Sequence, residues 1–130
     1  MEKEIINTAG APEAIGPYSQ AVKAGGFVFI SGQIPIDPHS GDVISGDIKE
    51  QTQRVMKNLG SVLSAAGSGF DRIVKTTIYL KNLADFNSVN EVYGSYFSNN
   101  PPARATVEVN NLPRGVDIEI DATALLKYSN

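Results

Sequence analysis

Arg104 opens the run RATVEV (residues 104–109), and Glu119 stands in VDIEIDA (residues 116–122), a short loop further on. A guanidinium is a planar, permanently charged fork suited to gripping a carboxylate with two parallel hydrogen bonds. A carboxylate nearby could orient a water or take a proton from it. If the two runs pair as antiparallel strands around the loop 110–115, Thr106 falls opposite Glu119 and Arg104 opposite Asp121. Period two then predicts one polar face carrying Arg104, Thr106, Glu108, Asp117, Glu119 and Asp121, with Ala105, Val107, Val109, Ile118, Ile120 and Ala122 lining the core face. Three readings stay open on this pattern. Arg104 and the acids could form a solvated cross-strand ion pair worth about 0.2–1 kcal/mol, an anion grip beside a proton-transfer acid, or a polar network at a subunit interface.

Other residues extend the constellation. Tyr18, in IGPYSQ, follows the stiffening Pro17, and its phenol could reach a pocket or simply be a partly buried strand residue. Asn90 lies near the apolar side of a helical stretch, where an unpaired amide would be costly to bury, so it requires a partner: an interface group or a ligand. Ser31 and Gly32 break an apolar strand; glycine there permits close approach of a backbone or ligand, and the serine offers a hydroxyl. His39 is the only histidine and sits in a proline-bearing turn, which leaves Ser31 without a histidine base and removes the multi-histidine zinc sets. No Walker, dinucleotide or nucleophile-elbow spacing is present.

The elements that must position these groups can be read from periodicity. Lys3 to Asn7 is a short strand. Tyr18–Val22 and Phe27–Ile30 form a hairpin about Gly25 and Gly26. DPHSG at 37–41 is a turn. Asp47, three residues before Glu50, caps a helix whose stripe of Ile48, Val55, Leu59, Val62 and Ala66 ends near Gly67. RIVKTTIYL (72–80) is an interior strand, and a second helix runs from about Asp85 or Phe86 to Phe97, stopped by NNPP. The order predicts an α+β two-layer sandwich, a mixed sheet with two helices packed on one face. The sheet's other side must then be polar or covered by another subunit.

The 130 residues suit one domain. Eleven Lys and Arg against fourteen acids, a net charge of -3, disfavour nucleic acid and anionic membranes as partners. There are no cysteines, hence no disulfide or thiolate chemistry. Apolar runs fall far short of the roughly 20 residues needed to span a bilayer. With no export signal at the start, a cytoplasmic location is expected.

The motifs IGPYSQA (15–21), FISGQIP (29–35), GDIKEQT (46–52), KTTIYLKNLADFNSVNEVY (75–93) and PARATVEVNNLPRGVDIEIDA (102–122), in this order over nearly the whole chain, resemble the Rid family of reactive imine and enamine deaminases. The resemblance implies a chorismate-mutase-like fold, a homotrimer with clefts between subunits, and no cofactor. It also implies hydrolysis of 2-aminoacrylate and 2-iminobutanoate, products of PLP-dependent serine and threonine dehydratases, to 2-keto acids and ammonia. By resemblance, Arg104 binds the substrate carboxylate, Glu119 orients the water, and Tyr18, Gly32 and Asn90 shape the site. Thr106 stands where the family often has cysteine, and Ser31 and Thr106 are expected to line the cleft. A regulatory or sensor protein that binds small carboxylates in the same cleft is the alternative reading.

Overall fold

The computed structural model describes residues 2–127. Its strands are β1 (Glu4–Ile6), β2 (Ala21–Ala24), β3 (Phe27–Gln33), β4 (Ile73–Leu80), β5 (Ala103–Glu108) and β6 (Ile118–Leu125); the helices are α1 (Ile48–Ala65) and α2 (Phe86–Gly94). The strands form one mixed sheet in the order β1-β2-β3-β6-β4-β5. The α+β architecture is as the sequence predicts.

Local chemistry explains most boundaries. Gly25 (φ +61°) and Gly26 (φ +85°) both adopt the left-handed conformation that a two-residue hairpin turn demands, and they join β2 to β3. The predicted first hairpin strand is shifted: β2 begins at Ala21, and Tyr18 lies in the bend before it. β3 does not stop at Ile30. Ile30 pairs with Ala122 and Gln33 with Ile120, so Ser31 and Gly32 together oppose Asp121 in a β-bulge.

At α1 both halves of a capping box form. Asp47 Oδ1 accepts from the Glu50 amide at 2.9 Å, and Glu50 Oε1 accepts from the Asp47 amide at 3.2 Å, an arrangement worth about 1 kcal/mol. Val55, Met56, Leu59, Val62 and Leu63 on α1 pack with Val28, Ile30, Ile78, Ile118 and Ile120 of the sheet to make the core. α2 is shorter than its apolar stripe suggests. It ends at Gly94, and the amides of Ser95, Tyr96 and Phe97 donate to carbonyls three residues back. Tyr96 and Phe97 still serve the core, their ring centroids lying 5.0 Å from Phe70 and 4.9 Å from Tyr93 respectively.

The largest correction concerns the two strands bearing Arg104 and Glu119. They are not a hairpin. β4 lies between them, parallel to β5 (Thr76 beside Arg104) and antiparallel to β6 (Tyr79 beside Glu119, Thr76 beside Ala122). Side chains at paired positions share a face. Arg104, Thr106 and Glu108 therefore point to the helix side with Thr76, Ile78 and Leu80, while Glu119 and Asp121 point to the open side with Tyr79 and Thr77. Ala105 and Val107, expected in the core, face outward, and Val107 is 41 % exposed. Alternation holds within each run; the relative phase of the two runs depends on the partner strand, which alternation does not specify.

No helix among the described residues is long and apolar enough to cross a membrane.

Candidate functional site

The predicted site residues separate into two groups. The first surrounds Glu119 on β6. Its flanks, Ile118 and Ile120, are buried in the core, which fixes its direction toward the open side, where it is half-buried. The Ser31–Gly32 bulge of β3 meets it there. A Cβ built on Gly32 would lie 2.2 Å from Glu119 Oε2 and 2.7 Å from its carboxyl carbon. The close approach expected at this glycine is thus made by the carboxylate itself, and any side chain at position 32 would displace it.

A concave pocket of about 450 Å³ opens at this point, lined by Glu119, Gly32, Ser31 and Tyr18 together with the apolar groups of Ile15 and Ile34. Tyr18 is 54 % exposed at the rim, so it is available to a ligand and does not have the burial of a sheet residue. Ser31 Oγ donates to the Ser19 carbonyl at 2.6 Å, and the Ser31 amide to the Gln20 carbonyl at 2.9 Å, so this serine ties the bulge to the segment carrying Tyr18. Burial, and secondarily the neighbouring Asp121 charge, raise the Glu119 carboxyl above its ordinary pKa, making it a stronger proton acceptor than a solvated glutamate. Asp121 itself accepts from the Tyr79 hydroxyl at 3.0 Å.

The second group is built on α2 and the edge strand β5. Arg104 Nη1 donates to Asn90 Oδ1 at 2.7 Å, which supplies the partner that the Asn90 amide was expected to need. The guanidinium carbon lies 5.4 Å from the Phe86 ring centroid and 5.2 Å from that of Tyr93. Residues 86, 90 and 93 fall on one helix face, so α2 presents two rings and an amide to a single guanidinium. Tyr93 is in turn fixed by a buried 2.7 Å hydrogen bond between its hydroxyl and Thr76 Oγ1. Arg104 remains exposed, with its fork open to an anion. Two residues along, Thr106 Oγ1 is buried with no hydrogen-bond partner among the described residues.

Within one chain the groups cannot cooperate. Arg104 and Glu119 lie two strands apart and point to opposite faces, with their Cα atoms roughly 14 Å apart by standard strand spacing; the cross-strand ion pair considered from sequence does not form.

His39 is confirmed as a turn residue: its amide donates to Asp37 Oδ1 at 2.8 Å, and the side chain lies in an exposed loop. Among the described residues no group of three or more His, Asp or Glu is placed to hold a metal ion.

Sequence reasoning missed the residues that hold the pocket's walls. Gln20 is buried, accepts from the Thr8 amide at 2.7 Å and donates to the carbonyls of Thr8 at 3.0 Å and Pro12 at 2.9 Å, pinning the segment that closes one side. Asn58 of α1 does the same for the segment carrying Ile34 and Ile36. A signal for Asn58 was present: it occupies the apolar stripe between Val55 and Leu59, where an amide must be satisfied internally.

The family described as Endoribonuclease L-PSP matches residues 8–126. The human 2-iminobutanoate/2-iminopropanoate deaminase is 50 % identical over 123 residues, covering 95 % of this chain and 90 % of that protein. Among solved structures, YyfA of the conserved Rid protein family from Yersinia pestis superposes with a TM-score of 0.94 at 48 % identity, over 96 % of this chain and 100 % of the other. TdcF from E. coli, solved with bound serine, gives 0.91 at 40 % identity over 95 % and 99 %. With its mixed sheet, its bulge seated under a raised glutamate and its ring-stacked arginine, the chain belongs to the Rid (Endoribonuclease L-PSP) family.

Proposed function

We propose that this protein hydrolyses 2-imino acids, 2-iminobutanoate and 2-iminopropanoate (the imine tautomer of 2-aminoacrylate) foremost, to 2-keto acids and ammonia. The clefts lie between copies in a homotrimer. The observation that carries the reading is the division of the site: one chain holds a carboxylate half and a guanidinium half facing away from each other. A head-to-tail ring, in which each copy offers one half to each neighbour, brings unlike halves together at every interface. The outward Phe27, Phe29 and Val107, all large and exposed on the open face, favour covering of that face by further copies. The human relative is named for this activity, and the bound serine of TdcF is a small molecule carrying a carboxylate.

In such a cleft Arg104 of one copy takes the substrate carboxylate in a bidentate grip, with Asn90 and the two rings fixing the fork. Enamine substrates tautomerise to the imine before hydrolysis. Glu119 of the neighbouring copy orients a water, and its raised pKa favours accepting the proton as the water oxygen bonds to the imine carbon. That proton goes to nitrogen, giving the carbinolamine; its hydroxyl proton then passes to nitrogen in turn, the carbon–nitrogen bond breaks, and ammonia leaves as the carbonyl forms. Water and imine thus become 2-keto acid and ammonia with no oxidant or reductant. Tyr18 bounds the substrate at the rim, and Gly32 leaves the carboxylate its space. A physiological supply by dehydratases in the cytoplasm fits the chemistry.

The test is 2-iminobutanoate disappearance in an assay coupled to threonine dehydratase. Wild type should accelerate it. Arg104→Ala and Glu119→Gln should each lose roughly a hundredfold or more while the oligomer, checked by light scattering, persists. A correctly assembled wild type that accelerates no imino acid but binds 2-oxobutanoate would replace the enzyme by a carboxylate sensor.

A further inference from the structure

We infer that Asn58, which does not line the pocket, is a positioning residue that sets the room available to the substrate's side chain; the inference rests on the imino-acid reading above. The pocket is larger than a three- or four-carbon acid needs, and Ile34 and Ile36 give it an apolar wall, with Pro12 and Ile15 also among its lining. That wall is not part of the regular sheet. β3 ends at Gln33, and residues 34–36 continue as an irregular segment hydrogen-bonded to the middle of α1 at Asn58. Irregular backbone keeps one conformation only where its polar groups are tied.

The ties are specific. Asn58 Nδ2 donates to the Ile34 carbonyl at 3.2 Å and to the Ile36 carbonyl at 3.0 Å. Arg54 Nε, one helical turn earlier, donates to Asn58 Oδ1 at 3.2 Å and so orients the amide. On the other side, the Ile44 amide donates to the Pro35 carbonyl at 3.0 Å. Asn58 has no exposed surface, and so cannot exchange these bonds for water. The two carbonyls it holds belong to the two isoleucines of the wall. A helix residue in the core thereby fixes the distance between the apolar wall and Glu119 on β6.

On this inference a methyl side chain stops short of the wall, and a branched four-carbon side chain packs against it. Loss of the tie should therefore act selectively. Apolar pockets discriminate by about tenfold or more per misfitted group.

The experiment compares wild type with Asn58→Ala on two imines generated in place from alanine and from leucine by an amino-acid oxidase. In parallel, it measures the affinity of the matching 2-oxo acids, pyruvate and 4-methyl-2-oxopentanoate, by NMR titration. KM and Kd do not depend on the fraction of protein that is folded, so partial destabilisation does not imitate the effect. We expect KM for the leucine-derived imine to rise about tenfold, with Kd for 4-methyl-2-oxopentanoate following it, while the values for the alanine-derived imine and pyruvate stay within about twofold. If Asn58→Ala does not fold, Arg54→Leu, which removes only the donor that orients the amide, should shift the same ratio in the same direction by a smaller factor. Equal changes for both ligands, or a fall in kcat with both KM values unchanged, would reduce Asn58 to a stabilising residue and overturn the inference. Wild type that hydrolyses neither imine would sink the deaminase reading, and the Kd ratio would still decide the role of Asn58.

Discussion

The carboxylate half and the guanidinium half of the candidate site are built by opposite means. Glu119 sits on an interior strand between two core residues, with a bulge on the neighbouring strand cleared to admit it. Its position is fixed by long-range sheet pairing. Arg104 sits on an edge strand and is exposed; what steadies it is local, a face of α2 within 18 positions of it in sequence. The group to which the proposal assigns the placing of a water is rigidly embedded. The group to which it assigns the capture of an anion is accessible and held by stacking, which tolerates small adjustments.

The sharpest way to break this contrast is at Gly32. Gly32→Ala places a methyl within the space of the Glu119 carboxyl. Activity should fall about a hundredfold, since misplacement by an ångström costs that much, while 2-oxobutanoate affinity, which the proposal assigns to Arg104, should change by less than about threefold. Loss of affinity as large as the loss of turnover would show that the halves do not divide orientation and capture.

Mixing the two disabled chains probes whether the halves come from different copies. In a head-to-tail trimer of Arg104→Ala and Glu119→Gln subunits combined randomly in equal amounts, every mixed ring contains one cleft with both natural residues, giving about one quarter of wild-type activity. A site contained in one chain would recover none.

The smallest effect concerns stability. Because burial and Asp121 raise the folded-state pKa of Glu119, the folded protein binds its proton more tightly than the unfolded chain does. The associated stability is fully present below the unfolded-state pKa and is lost as pH rises through the folded-state pKa. Glu119→Gln should then be more stable than wild type at neutral pH, by less than about 1 kcal/mol given the half-exposure of the group, with the advantage vanishing in acid; denaturant titrations at the two pH values check it. The neighbour's Arg104, which the proposal places in the same cleft, opposes this effect, so the advantage should grow in an Arg104→Ala background; an advantage that Arg104→Ala leaves unchanged would place no guanidinium near Glu119.

Much of this was legible in the sequence. The Asp47–Glu50 pair, the glycines at 25 and 26 and the β-branched run before Leu80 each carry a local physical signature, and the cap, the turn and the strand they mark appear where expected, although the strand before the turn is shifted. Gly32 was readable as a close approach, though not what approaches. The pairing of Arg104 with the acids was not readable, because a short loop after β5 suggests a hairpin and β4 takes that place instead. β5 hid its orientation as well. Its inward positions are polar and its outward ones apolar, the reverse of what a solvated monomer would show, since Arg104 must meet α2. The walls of the pocket depend on the amides of Gln20 and Asn58, whose partners lie far away in sequence.

The placement of β6 between β3 and β4 also governs how the molecule is made. The β2–β3 hairpin and α1 require only nearby contacts and can form early. β3 and β4, however, share no hydrogen bonds until β6 arrives and joins them. The strand carrying Glu119 is therefore the keystone of the fold: before it docks, the sheet is two fragments with bare edges, and afterwards it is one cooperative body. A chain whose sheet is complete therefore has its glutamate in place.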